Sequence, residues 1–528
     1  MIKDDFGECM DSDDEKPLQK FARRSLATFE DDSETKSFPE PEKKSERHDD
    51  ILSIFEMFFT DQVLQQIVKC TNHYIEKSNK KYKNSSGLTN INEIKALLGV
   101  LILTAAMNEN HFTPEDIFNS EIRGPQYMSC MSHQRFSFLL QNLRFDDSDA
   151  DAEETESDPF TPMRNIWNLL ITQCRNNYAC GSNVTIDEIF VPFRGNCSFK
   201  VFLPDNEKKY GIKIMTMCDS TSYYMIDAMP HLGKYTKTDG CSLSEFYVRQ
   251  LTKTIHGTNA NVTIKTLKPT IYLAEQMLKD PYKLTMIGPL KTSSKDLPRV
   301  LTRNTNHEIG TPIFSSVGAV TLMSYNISST KKLFLLSSGD EKDSIDTSTD
   351  VPCMLEKYNS TKNSVIAFDQ MCSDMTCKRK TNNWTMSLFY NLINMVTVNC
   401  YILYCHNSRN MNRKPMQRRV FMNKLHSDLA NPWRKVRFGF SNMPRSVRDD
   451  IEAVLNKQNI SCPSIHSVAK QKSVITEGSA KATRRICSMC HYKKRRNTKK
   501  VCKKCNAHIC GEHTIHFCIT CAQEIFPM

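Results

Sequence analysis

The side chains best suited to chemistry crowd the end of the sequence. Cys487-x-x-Cys490 is followed by Cys502-x-x-Cys505, Cys510-x-x-His513 and Cys518-x-x-Cys521. Thiolate and imidazole are the ligands of tetrahedral zinc, and four such pairs supply two complete sites. An interleaved arrangement gives Cys487, Cys490, Cys510 and His513 to one ion and Cys502, Cys505, Cys518 and Cys521 to the other. His516 competes with His513 for its place. So short a segment buries little core, so zinc supplies its folding free energy. Of the 21 cysteines, the 14 outside this cluster scatter between Cys9 and Cys462 without pairing pattern, which suits a reducing compartment rather than a disulfide framework.

Cations are threaded through the same stretch. Lys493-Lys494-Arg495-Arg496 and then Lys499-Lys500 lie between the first two ligand pairs. A charge run is commonly a solvated face. On a segment held rigid by metal it reads as a set of phosphate contacts to DNA. The same run serves equally well as a nuclear import signal, which places the protein in the nucleus.

A second candidate is a single carboxylate. Asp187 sits in Val184-Thr185-Ile186-Asp187-Glu188-Ile189-Phe190, a β-branched run with the period of a strand. Burying a carboxylate costs several kcal/mol unless it is paired or bound to metal. Two readings follow for Asp187: an ion pair with a nearby lysine or arginine, or a metal ligand.

The elements that position these residues can be read from pattern. Residues 184–229 form three strands, the middle one apolar and buried. Short strands are expected at 262–264 and 284–287, with helices at 243–255 and 273–278. From 291 to 350 the pattern is strand-like. Before this core, from Ile51 to Tyr178, apolar residues recur at helical spacing, and Thr113-Pro114 is a strong helix start. Helices return from Trp384, where Arg418, Arg419, Lys424 and Arg434 gather as a basic group. The first 50 residues are polar, acidic and expected to be disordered. Net charge is +11 over 528 residues, which suits a soluble protein with a basic face and a polyanionic partner. The acidic start does not read as a signal peptide. The apolar run 94–107 is too short to span a bilayer, and 388–405 is broken by Asn391, Asn394 and Asn399, so no membrane partner is expected.

Further motifs carry a family resemblance. Asp187-Glu188, Phe193-Arg194-Gly195, Lys209-Tyr210-Gly211-Ile212-Lys213 and Cys218-Asp219-Ser220 are followed by Met229-Pro230-His231-Leu232-Gly233 and Tyr282-Lys283-Leu284-Thr285. Leu335-Leu336-Ser337-Ser338, Asp369-Gln370-Met371-Cys372-Ser373, Arg379-Lys380-Thr381-Asn382 and Trp384 complete the series. In order and spacing, from about Ile51 to Cys521, this resembles the piggyBac-type transposases. The resemblance implies an α+β multidomain protein. A helical dimerisation and DNA-binding domain (51–182) would follow the acidic tail (1–50). A ribonuclease-H-like core (183–291 and 353–375) would carry a β-rich insertion (292–352). The second part of the helical domain (376–455), a linker (456–484) and a zinc-binding cysteine-rich domain (485–528) would complete the chain. The implied partners are double-stranded DNA, including transposon-end repeats, and a second copy in a homodimer. In the family's finger the histidine takes the Cys-x-x-His position, which favours His513 over His516.

Transposases of this class cut DNA with two divalent ions, usually magnesium, held by carboxylates from three separated segments. Asp187 fills the first position. The second position falls on Lys265 and the third on Ile366, while the accessory acid Asp369 is kept. Lys265 puts an ammonium where a dication would bind. Unit charges about 4 Å apart repel by roughly 4 kcal/mol at an effective dielectric near 20, and magnesium carries two. Magnesium at the core is therefore not expected, and the leading expectation is a transposase-derived DNA-binding protein unable to cut. The alternatives are an active transposase with an unconventional acid set and a protein-interaction scaffold built on the finger.

Overall fold

In the computed structural model the described residues run from 50 to 461 and from 485 to 513, apart from 83–86, 147–157, 205–208, 292–296, 303–307, 329–330, 340–342, 347–349, 441–442, 492–493, 495, 499 and 502–506. The expected acidic tail, most of the loop 146–158 and most of the linker therefore lie outside the described residues. So do Cys502, Cys505, His516, Cys518, Cys521, Lys493, Arg495 and Lys499. The chain divides into two compact units, one of residues up to 118 with 132–430, the other of 119–131 with 431 onward.

The first unit is organised on one sheet. β1 (Asn183–Pro192) pairs antiparallel with β3 (Tyr210–Asp219), which pairs antiparallel with both β2 (Val201–Phe202) and β4 (Met225–Pro230). On its other side β1 runs parallel to β5 (Asn261–Ile264), and β5 parallel to β6 (Thr285–Pro289). β7 (Pro312–Val317), β8 (Val320–Asn326) and β9 (Lys332–Ser337) form a meander, and β9 hydrogen-bonds to β6. The strand-rich segment after residue 291 thus continues the central sheet. The middle strand β3 is buried from Gly211 to Asp219, as its apolar run requires.

Helices cover the sheet. α1 (Ile91–Ala106) is buried along almost its whole length. Thr113 accepts a hydrogen bond from the Asp116 N–H and caps the helix that Pro114 opens. On α2 (Thr161–Asn176), Trp167 donates from Nε1 to the Ala228 carbonyl of β4 at 3.1 Å. α3 (Ser364–Asp374) lies on β1 and β3. α4 (Trp384–Asn410) is apolar and long enough to cross a membrane, but 89% of its most apolar window is buried among the other elements. Its asparagines explain that placement. Asn399 accepts from the Met225 N–H at 3.0 Å and donates to the Met225 carbonyl at 2.8 Å, standing in for a strand partner at the edge of β4. Asn394 accepts from the Cys377 N–H and donates to Thr376. Buried amides that complete backbone hydrogen bonds fix a helix on its sheet rather than breaking it.

Two of the four expected basic residues of the late helices do not face solvent. On α5 (Arg418–Phe438), Arg418 is buried and donates from Nη1 to the Met371 carbonyl in the last turns of α3, a favourable place for a cation at a helix C-terminus. In the second unit, Arg434 is fully buried. It donates to Ser129 Oγ, Asn431 Oδ1 and the Gln126 carbonyl, and so ties α5 to the helix Pro125–Cys130. Both guanidinium groups are spent on structure. Arg419 and Lys424 remain exposed.

Candidate functional site

Asp187 occupies the middle of β1, opposite Thr216 of β3. The parallel register pairs Ile186 with Ile264, and the Lys265 N–H donates to the Ile186 carbonyl at 3.3 Å. The next residues along, Asp187 and Lys265, are therefore neighbours by sheet geometry. Lys265 Nζ stands 3.5 Å from Asp187 Oδ2, and the two side chains are only 9% and 4% exposed. The other carboxylate oxygen accepts from the Glu188 N–H at 2.8 Å. Burial pushes the Asp187 carboxyl above the usual range, and the Lys265 ammonium is the main force opposing it. The structure contains the ion pair of the first reading.

The adjacent acid is treated the same way, which the sequence reading missed. Glu188 pairs with Lys213 of β3 at 2.9 Å. Burial raises its carboxyl too, opposed first by Lys213. Lys213 lies opposite Phe190, two residues on from Glu188 and so on the same face of the sheet. The alternation of β1 and β3 contained that signal. Each carboxylate at the centre of the sheet thus has its own ammonium. Such pairs are expensive to break, because removing one partner strands a buried charge.

Ile366 sits half-buried on α3, where it offers no ligand atom. Asp369 is one turn further along. Its charge, after burial itself, helps push the Cys218 and Cys372 thiols up, and Cys218 also feels Asp187. The fold therefore sets Lys265 beside Asp187 in the middle of β1 and lays the helix carrying Ile366 and Asp369 on β1 and β3. These groups are two acids, an ammonium and an alkyl chain. Two magnesium ions need several anionic oxygens within about 2.1 Å of each ion, and this set does not fit them.

The second cluster is a different kind of site. In the second unit, β10 (Arg485–Ile486) pairs with β11 (Asn497–Thr498), and the Cys487 N–H donates to the Arg496 carbonyl at 2.8 Å. This hairpin sets Cys487 and Cys490 facing Cys510 and the turn Gly511–His513. The four ligand atoms lie within 4.8 Å of one another. His513 Nδ1 is 3.5, 3.7 and 3.3 Å from the sulfurs of Cys487, Cys490 and Cys510, and the last two sulfurs are 3.7 Å apart. Zinc bond lengths of about 2.3 Å to sulfur and about 2.0 Å to nitrogen give tetrahedral edges of roughly 3.5–3.8 Å. The residues fit the ion. The Cys487 thiol is brought down to about 6: burial opposes ionisation, but N–H donors from Cys510 and Met489 and the His513 ring outweigh it. A thiolate so stabilised is ready to take a metal.

Among the described residues His513 is the histidine in this cluster; His516 lies outside them. Of the cationic run, Lys494 and Lys500 are exposed, while Arg496 forms an ion pair with Glu512. That pair braces the hairpin against the histidine turn and occupies one of the expected phosphate contacts.

Residues 51–401 match the family described as Transposase IS4. That defines the class: a transposase-type chain. A solved structure, the cryo-EM structure of a piggyBac transposase synaptic complex with hairpin DNA, aligns with a TM-score of 0.76 and 38% identity, covering 92% of this chain and 100% of that one. Human PiggyBac transposable element-derived protein 3 and the human chimeric ERCC6-PGBD3 protein are each 25% identical over 186 residues, or 35% of this chain. The match spans 30% and 17% of the lengths of those two relatives. The chain belongs to the piggyBac-type transposase family.

Proposed function

We propose that the protein is a piggyBac-type DNA-binding protein that no longer cuts DNA. The observation that carries this reading is the Lys265–Asp187 ion pair, with a lysine where the resemblance puts the second metal-binding acid. The order β4-β3-β1-β5-β6, antiparallel up to β1 and parallel beyond it, supports a ribonuclease-H-like core. The donor set, with Lys265 paired to Asp187, argues against magnesium at this place, and in this reading Asp187 and Lys265 serve the fold. Glu188 is the nearest replacement acid for an unconventional site, and its pairing with Lys213 argues against that alternative. The similarity to a transposase solved with hairpin DNA supports DNA as the partner, and double-stranded DNA is the form this reading assigns. Nuclear localisation, a homodimer and a second zinc site built on Cys502, Cys505, Cys518 and Cys521 belong to the same reading.

The full chain is tested for nicking of duplex and hairpin DNA with magnesium or manganese. No cleavage is expected. Nicks that disappear in Asp187→Ala would overturn the reading. Duplex affinity should fall with salt, by a log–log slope of about 0.9 per phosphate contacted. Lys494→Ala with Lys500→Ala should flatten that slope. A chain with no duplex affinity at low salt would favour the protein-interaction scaffold.

A further inference from the structure

The described residues 193–204 after β1 are packed closely at their base, and Phe202 with Tyr210 presents two aromatic rings to solvent. Phe199 is buried against Trp384, with ring centroids 5.1 Å apart, and against Phe160 at 6.0 Å. At Gly195 a Cβ would come within 2.8 Å of the Asn382 carbonyl and 2.4 Å of the Phe193 ring, so only glycine lets the turn lie this close to the segment before α4. A Cβ on Gly211 would come within 2.6 Å of the Val191 carbonyl. From this anchored base, Phe202 of β2 and Tyr210 of β3 pair directly across the strands, their centroids 4.9 Å apart. Yet Phe202 is 52% exposed and Tyr210 45%. A ring pair that served only to pack an edge would bury its faces.

The rim of this pair is cationic. Lys200 Nζ is held 5.3 Å from the Tyr210 centroid by donating to the Gly195 carbonyl. Arg194 and Lys209 are exposed. Lys378 donates to the Pro192 carbonyl, and this brings the stretch carrying exposed Lys380 alongside. No acid occurs among the described residues 193–204 and 209–212; the four residues between, 205–208, contribute Asp205, Glu207 and Lys208 in sequence. Tyr210 lies six positions along β3 from Thr216, the partner of Asp187, or roughly 20 Å at strand rise. Exposed aromatic faces beside a basic rim are the features that hold unpaired bases, stacking against the rings while cations take the phosphates.

We propose that Phe202 and Tyr210 form a stacking platform for an unpaired nucleobase, with Arg194, Lys200, Lys209 and Lys380 holding the adjoining backbone. The site rests on the DNA-binding reading and narrows it: the ligand is a nucleic acid with single-stranded character at or near a duplex end. The two rings are already paired across β2 and β3, and a preformed platform favours affinity.

The test uses the full chain and two probes, a blunt duplex and the same duplex with a single-stranded thymidine overhang. Wild type should prefer the overhang. Phe202→Ala with Tyr210→Ala should bind the overhang probe roughly tenfold more weakly and the blunt duplex unchanged. Phe202→Tyr with Tyr210→Phe should keep the preference. Equal loss on both probes, or no loss on either, overturns the platform. A wild-type chain that binds neither probe overturns the DNA-binding reading itself. Photo-crosslinking of a halogenated overhang to wild type, mapped by mass spectrometry, covers the case of a misfolded double variant. Crosslinks at Phe202 or Tyr210 support the platform, and crosslinks elsewhere alone overturn it.

Discussion

Asp187 and Cys487 are both residues that a metal could claim, and their surroundings could hardly differ more. The partners of Cys487 come from one short stretch, 487–513, and their donor atoms already stand at tetrahedral spacing. The ion pairs at the centre of the sheet join distant positions, Lys265 to Asp187 and Lys213 to Glu188, and exist only because β1, β3 and β5 meet in one sheet. A local site survives as long as its own few residues do. A site assembled from distant segments depends on register, which here places Lys265 directly beside Asp187. The cation beside the carboxylate is covalently part of the chain.

Metal removal should give the largest contrast. Chelation, or Cys490→Ser, should unfold the segment from residue 485 and leave the sheet intact, since structural zinc in such fingers supplies about 10–16 kcal/mol at neutral pH. Limited proteolysis with elemental analysis checks this. Two zinc ions per chain are expected. A protease-resistant finger after chelation would break the comparison from one side.

The next largest effect should be Lys265→Met. It strands a buried carboxylate and should cost about 3–5 kcal/mol of stability. Asp187→Asn combined with Lys265→Met should recover much of that loss. Thermal melting reads both. Magnesium should not raise the melting temperature of wild type, and a clear rise would mean the core still holds the ion.

The smallest effect concerns pH. Burial raises the Asp187 carboxyl in the folded chain. A carboxylate with a raised folded pKa binds its proton more tightly when folded, so its contribution is full below the unfolded value, near 3.9, and declines as pH rises through the folded value. Asp187→Asn removes that decline. The difference in melting temperature between Asp187→Asn and wild type should therefore move in favour of the variant as pH rises above about 4. A difference that moves the other way would show that Lys265 more than offsets burial.

Much of this was legible in the residue order. Thr113-Pro114 opened a helix, the three strands of 184–229 formed, and the Cys-x-x-Cys and Cys-x-x-His spacings brought four ligands together. These are signals of short range, in which propensity, alternation and ligand spacing act within a few residues. That Arg418 and Arg434 of the basic group would be buried was not legible, because a sequence carries no record of which face a helix turns inward. The strands after residue 291 gave their own existence away, but not that β9 would join β6.

The sequence by itself determined that position 265 carries a cation and position 366 an alkyl chain, the two departures on which the proposed loss of cleavage rests. It also determined the spacing that brings Cys487, Cys490, Cys510 and His513 together. Only the tertiary structure decided where the charge at 265 goes. Parallel pairing of β1 with β5 sets Lys265 beside Asp187, and burial of both makes each the other's counter-ion. The physical reason is range. Metal ligands spaced two or three residues apart are fixed by local chain geometry, whereas an ion pair between residues 187 and 265 exists only once a sheet has closed between them.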